Sequence, residues 1–87
     1  MTDETPSAKE DWVEMWQATD PKGIAAKTSY SPAVHQFKVE VSHGQESLTE
    51  TFNANYEPVF GMDISDNGQS MEIAERLAVQ IEQKLGL

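Results

Sequence analysis

Between residues 35 and 52 the chain alternates, and that alternation leaves few folds open. His35, Phe37, Val39 and Val41 alternate with Gln36, Lys38, Glu40 and Ser42; further on, Leu48 and Phe52 alternate with Thr49 and Thr51. A period of two is the signature of a strand with one buried face. Gly44-Gln45 separates the two runs, and glycine at the first position of a two-residue loop suits a type II′ turn. That loop sets Val41 against Leu48 and Phe37 against Phe52, whereas a three-residue loop would set Val41 against Ser47. A slip of one residue sends every side chain to the opposite face, so apolar matching selects the two-residue loop. The same register places Glu50 opposite Val39 on the apolar face. An acid there either protects an edge strand from further pairing or contacts a partner.

The C-terminal segment has a different period. Ile73, Ala74, Leu77, Ala78, Ile81 and Leu85 form one stripe at helical spacing, which predicts a helix from about Ser70 to Leu85 ended by Gly86. Near the N-terminus, Ser7-Ala8-Lys9-Glu10 fits a capping box. It predicts a short helix over about 8–19 with Trp12, Met15, Trp16 and Thr19 on one face, stopped at Asp20-Pro21. Residues 21–32 carry Pro, Gly and Ser and read as an ordered loop. Phe60, Met62 and Ile64 alternate with Gly61 and Asp63 and predict a third strand, ended by Asp66-Asn67-Gly68. The expected architecture is a small single α+β domain over residues 7–87, after a disordered tail at 1–6. In it, a three-stranded antiparallel meander carries the C-terminal helix on one face and a short N-terminal helix, in the order α-β-β-β-α.

Charge separates function classes. The 87 residues hold 15 Asp and Glu against 6 Lys and Arg, a formal charge of −9. Such a chain repels phosphates and anionic lipid heads, so direct nucleic-acid or membrane binding is disfavoured. No apolar run approaches a membrane span and the N-terminus is acidic where a signal peptide is basic, which predicts a cytoplasmic protein. Between Lys38 and Arg76 there is no Lys or Arg, while Glu40, Glu46, Glu50, Glu57, Asp63, Asp66, Glu72 and Glu75 fall in that interval. Eight acids without a Lys or Arg predict one electronegative face, more than solubility alone requires.

Motifs for chemistry are few. There is no cysteine, which removes disulfides, thiolate zinc sites and thiol nucleophiles. No phosphate-binding glycine loop and no nucleophile elbow occur, so no enzyme and no cofactor are expected. Asp63-Ile64-Ser65-Asp66-Asn67-Gly68 fits the opening of a calcium loop, but position twelve is Ala74 where a bidentate Glu should close the shell. A strand-to-helix turn capped by Asp66 or Ser70 is the simpler reading, and no metal is expected. His35, on the inward face of its strand, and His43, at the turn, lie about 26 Å apart when extended and cannot share a metal.

Two functions follow as expectations. In the first, the acidic face (Glu40, Glu46, Glu50, Glu57, Asp63, Asp66, Glu72, Glu75) docks on a basic, nucleic-acid-binding surface of a target protein and blocks it. Small size, acidity and the lack of catalytic motifs suit a phage inhibitor working in the host cytoplasm. Anti-restriction and anti-CRISPR proteins share that general character, though no motif ties the chain to one family. The alternative is an assembly or adaptor module that self-associates as a homodimer, or docks a complex, through a strand edge or the Trp12/Trp16 helix. Trp12, Met15 and Trp16 within EDWVEMW look like anchors framed by acids.

Overall fold

The structure, a computed structural model, describes residues 11–87. Four strands and one helix follow in order: β1 (Val13–Thr19), β2 (Ala25–Ser31), β3 (Gln36–His43), β4 (Glu46–Asn53) and α1 (Ile64–Leu85). The strands form one antiparallel sheet in the order β1-β2-β3-β4, and α1 lies across one face. The fold is α+β, with four strands rather than three and no N-terminal helix among the described residues.

The central hairpin follows its sequence pattern. Val41 pairs with Leu48, Val39 with Glu50 and Phe37 with Phe52, around a two-residue turn in which Gly44 has φ 60°. Phe37, Val39 and Val41 are completely buried, and Val39 and Val41 meet Ile73, Ala74, Leu77 and Ile81 of α1. Tyr30, Phe37 and Phe52 stand side by side on three neighbouring strands, with ring centroids 5.0 and 5.3 Å apart. Cross-strand apolar pairs of this kind are the unit of sheet stabilisation.

Four expectations are corrected. The segment read as helix 8–19 is strand β1 from Val13 onward, while its capping box and the tail at 1–6 lie outside the described residues. Trp12, Met15 and Trp16 match a helical spacing, but Val13 and Trp16 are also good strand formers, and pairing with β2 decides between them. The loop read over 21–32 contains β2, whose Ala, Lys, Thr and Ser residues carry little strand signal. Asp20-Pro21-Lys22-Gly23 is a hairpin turn: the Asp20 carboxylate accepts from the Lys22 and Ile24 N–H groups at 2.9 Å each, and Gly23 has φ 86°. The third strand expected at residues 60–64 does not form. Phe60 is fully exposed, Gly61 has φ 128°, and α1 begins at Ile64, six residues before Ser70. His35 also differs, since it stands exposed before β3 with φ 56° and not on its inward face.

Candidate functional site

The sheet is wider than its helix. Four strands about 4.8 Å apart make a sheet roughly 19 Å wide, whereas one helix is about 10 Å across. Helix α1 packs on β3 and β4 and reaches the margin of β2, leaving β1 beyond its backbone. The uncovered part of this face is a groove with β1 as one wall and α1 as the other. It consists of two adjoining depressions that share Ala18. One, of about 510 Å³, is lined by Met15, Trp16, Ala18, Met62, Asn67 and Met71. The other, of about 340 Å³, is lined by residues that include Ile24, Ala26, Ala74, Glu75 and Ala78.

A bulge in β1 builds the outer wall. Val13 pairs with Tyr30 and Glu14 with Ser29, but Trp16 pairs with Thr28, so the register shifts across Met15. In a regular strand, Trp12 and Trp16 would share a face. An extra residue reverses the alternation. Trp16 therefore lies on the helix side, where its indole Nε1–H donates to Ser70 Oγ at 3.1 Å, and the Ser70 hydroxyl donates to the Asn67 carbonyl at 2.8 Å. Trp12 lies on the other face, with the Lys38 ammonium 4.4 Å from its ring centroid. The two tryptophans do not form one anchor pair.

Asp66 anchors the start of α1, next to Asn67 of the groove wall. Its carboxylate is completely buried and accepts from Asn55 N–H at 3.1 Å, Asn55 Nδ2 at 2.8 Å and Tyr56 N–H at 3.2 Å. It thereby ties the β4–α1 connection to the first turn of the helix, in which an acid also suits the helix dipole. Asp63 is the N-cap, accepting from Ser65 N–H at 3.0 Å. Hydrogen bonds from the Ser65 hydroxyl and N–H hold its carboxyl below the usual range. The calcium-loop resemblance is thus a helix cap followed by a buried anchor. Among the described residues no cluster of three or more His, Cys, Asp or Glu is placed to hold a metal. Past the anchor, Val59, Phe60 and Ile64 project into solvent.

The eight acids do not share one face. Glu40 lies on the sheet face away from α1, 3.5 Å from Lys27 Nζ and 3.8 Å from Lys38 Nζ. Glu46 meets Lys84 at 2.9 Å. Glu50 receives both Arg76 nitrogens, at 2.9 and 2.8 Å, which holds its carboxyl below the ordinary value. The conflict noted at Glu50 is thereby resolved by an ion pair across the sheet–helix layer. Asp66 is buried, and Glu57, Asp63, Glu72 and Glu75 lie on the connection and the helix. All five cations of the described residues are in ion pairs, the remaining one being Lys22 with Glu82 at 3.5 Å. Glu57, Glu72 and Glu75 have no such partner among the described residues.

The groove was not readable in the sequence. Its advance signs were Met15 and Trp16, placed there on a helix, and the turn signal Asp20-Pro21-Lys22-Gly23 would have identified the hairpin that forms its outer wall. No helix among the described residues is long and apolar enough to cross a membrane. Compared with protein-family models, curated proteins and solved structures, the chain finds no match.

Proposed function

We propose that this chain is a protein-binding module that seats an apolar segment of a partner in the groove between β1 and α1. The observation that carries this reading is a four-stranded sheet with one helix, which leaves Met15, Trp16, Met62 and Met71 around an open channel on the core side of the sheet. Methionine side chains adapt their shape to an incoming apolar surface and are common in binding grooves. The uncompensated carboxylates select the partner, because a basic segment gains from Glu75 at the groove and an acidic one is repelled.

The test uses immobilised full-length protein in a lysate of its source organism, with captured proteins identified by mass spectrometry. Met71→Lys and Ala18→Lys fill and charge the groove at exposed positions, and Thr49→Lys makes the same charge change on the other face of the sheet. Specific proteins lost with both groove variants and kept by Thr49→Lys support the reading. An identical set from all four proteins overturns it.

A second reading keeps acidic docking on a smaller surface. Glu57, Glu72 and Glu75 lack ion partners among the described residues, and an inhibitor of this kind sets these carboxylates on a nucleic-acid-binding surface of its target. Capture would then fall steeply between low and high salt and be lost on Glu72→Lys/Glu75→Lys, with Met71→Lys retaining it.

A further inference from the structure

We infer that the groove occupant is a basic, amphipathic α-helix of a partner protein, about three turns long, lying beside α1 as a second helix on the sheet. This rests on the groove reading above and specifies its ligand.

Three observations lead to a helix of this kind. The first is width. About two of the four strands lie under α1, and the uncovered remainder matches one more helix at ordinary spacing. A strand adding to the outer edge of β1 would leave the groove itself empty, and the bulge at Met15 breaks the regular ladder at that edge. The second is length. On α1 the wall runs from Asn67 to Ala78, about 16 Å, or three turns. The wall is made of Asn67, Met71, Ala74 and Ala78, spaced by three and four. Small residues in such a row let a second helix approach closely, and Met71 supplies the deformable contact.

The third is charge. Glu75 lines the groove without an ion partner among the described residues, and Asp20 lies at the same end. Lys22, two residues from Asp20, is engaged by Glu82 at 3.5 Å. A helix with Lys or Arg flanking its apolar stripe completes this rim. A second copy of the chain, at −9, meets repulsion instead.

The experiment titrates isotope-labelled full-length protein with three synthetic peptides of about 14 residues. The first is a Leu/Lys helix with its apolar positions on one face, the second a scramble of the same composition without a face, and the third the Leu/Glu counterpart. The expected result is shifts centred on the Trp16 indole N–H and on the Ala18, Met71 and Ala78 amides. Affinity for the Leu/Lys helix should be at least about tenfold above the other two, and about tenfold lower for Met71→Lys and Ala18→Lys. Equal binding of the scramble, or shifts on the Thr49/Thr51 face, overturns the inference.

Two other occupants are read in the same samples. A dimer in light scattering that Met71→Lys dissociates assigns the groove to a second copy. The chain has no cysteine, so a spin label on Thr5→Cys reports on its own first residues. Broadening at Ala18 and Met71 assigns the groove to that segment. Either result overturns the inference. Lysate partners that depend on the groove, combined with no binding of the Leu/Lys helix, leave the groove function standing and remove the helix. Loss of both removes the groove reading itself.

Discussion

The two halves of the sheet differ on the same face. Under α1, β3 and β4 offer Val39, Val41, Leu48 and Phe52, which meet a complementary stripe on the helix. Beyond it, β1 and β2 offer Trp16, Ala18 and Ala26 along the groove, and no second helix among the described residues covers them, while Thr28 on the margin is buried. The covered half is built of large side chains with an intramolecular partner, and the groove of alanines beside Trp16 and three methionines. The contrast shows that sheet formation and sheet coverage are separate matters. Main-chain hydrogen bonds extend a sheet wherever edges can pair, but its depth of burial depends on what lies across it.

The comparison breaks most readily in the covered half. Phe37→Ala removes a fully buried ring stacked on Phe52 and should cost about 3–5 kcal/mol in denaturant unfolding. A loss below about 1 kcal/mol would mean that the covered half is not the main core. Asp66→Ala deletes the anchor of the β4–α1 connection and strands the Asn55 and Tyr56 N–H groups. It should cost about 2–3 kcal/mol and raise amide exchange across residues 54–63. Unchanged exchange there would show that the connection is held by something else.

Smaller changes sharpen the contrast. The Thr28 hydroxyl is buried on the margin between the halves with no hydrogen-bond partner among the described residues. Thr28→Val keeps the shape and removes an unmet polar group, so stability should rise by about 1 kcal/mol. A fall would reveal a hydrogen bond to that oxygen. The smallest effect is on pH dependence. Arg76 holds the Glu50 carboxyl below its ordinary 4.5, mainly by hydrogen bonding. The ionised carboxylate therefore contributes stability that is present above about that pH and lost as pH falls through the lowered folded value. Thermal unfolding of Glu50→Gln should vary less than wild type below pH 4.5. Parallel curves would show that the pair contributes nothing to the pH response.

Legibility followed the same division. The β3–β4 hairpin could be derived because alternation, a glycine turn and large apolar pairs all point to one register. The C-terminal half of α1 could be derived from its stripe. Its first turns could not, because Asp66, Asn67 and Gly68 are turn-forming residues by local preference. Here Asp63 caps the backbone, and a buried Asp66 carboxylate binds two N–H groups and an amide of another segment. β2 was hidden because Ala25, Ala26, Lys27 and Ser29 gain their strand state from neighbours on both sides. The candidate groove was hidden for a related reason. It depends on a one-residue bulge that turns Trp16 inward and Trp12 outward, and no local spacing announces a bulge.

The acidic tract shows the limit in another form. Composition determined that the chain carries a large negative charge, and the hydrophobic periods determined a hairpin and a helix that must pack together. Where the carboxylates point was decided by tertiary structure. The pleat sends neighbouring residues to opposite faces, and the helix brings Arg76 and Lys84 back over Glu50 and Glu46 from 26 and 38 residues away. Periodicity is a property of neighbours along the chain, so sequence contains it. Ion pairing, coverage and an open groove depend on distances between remote segments, and those distances exist once the backbone has closed on itself.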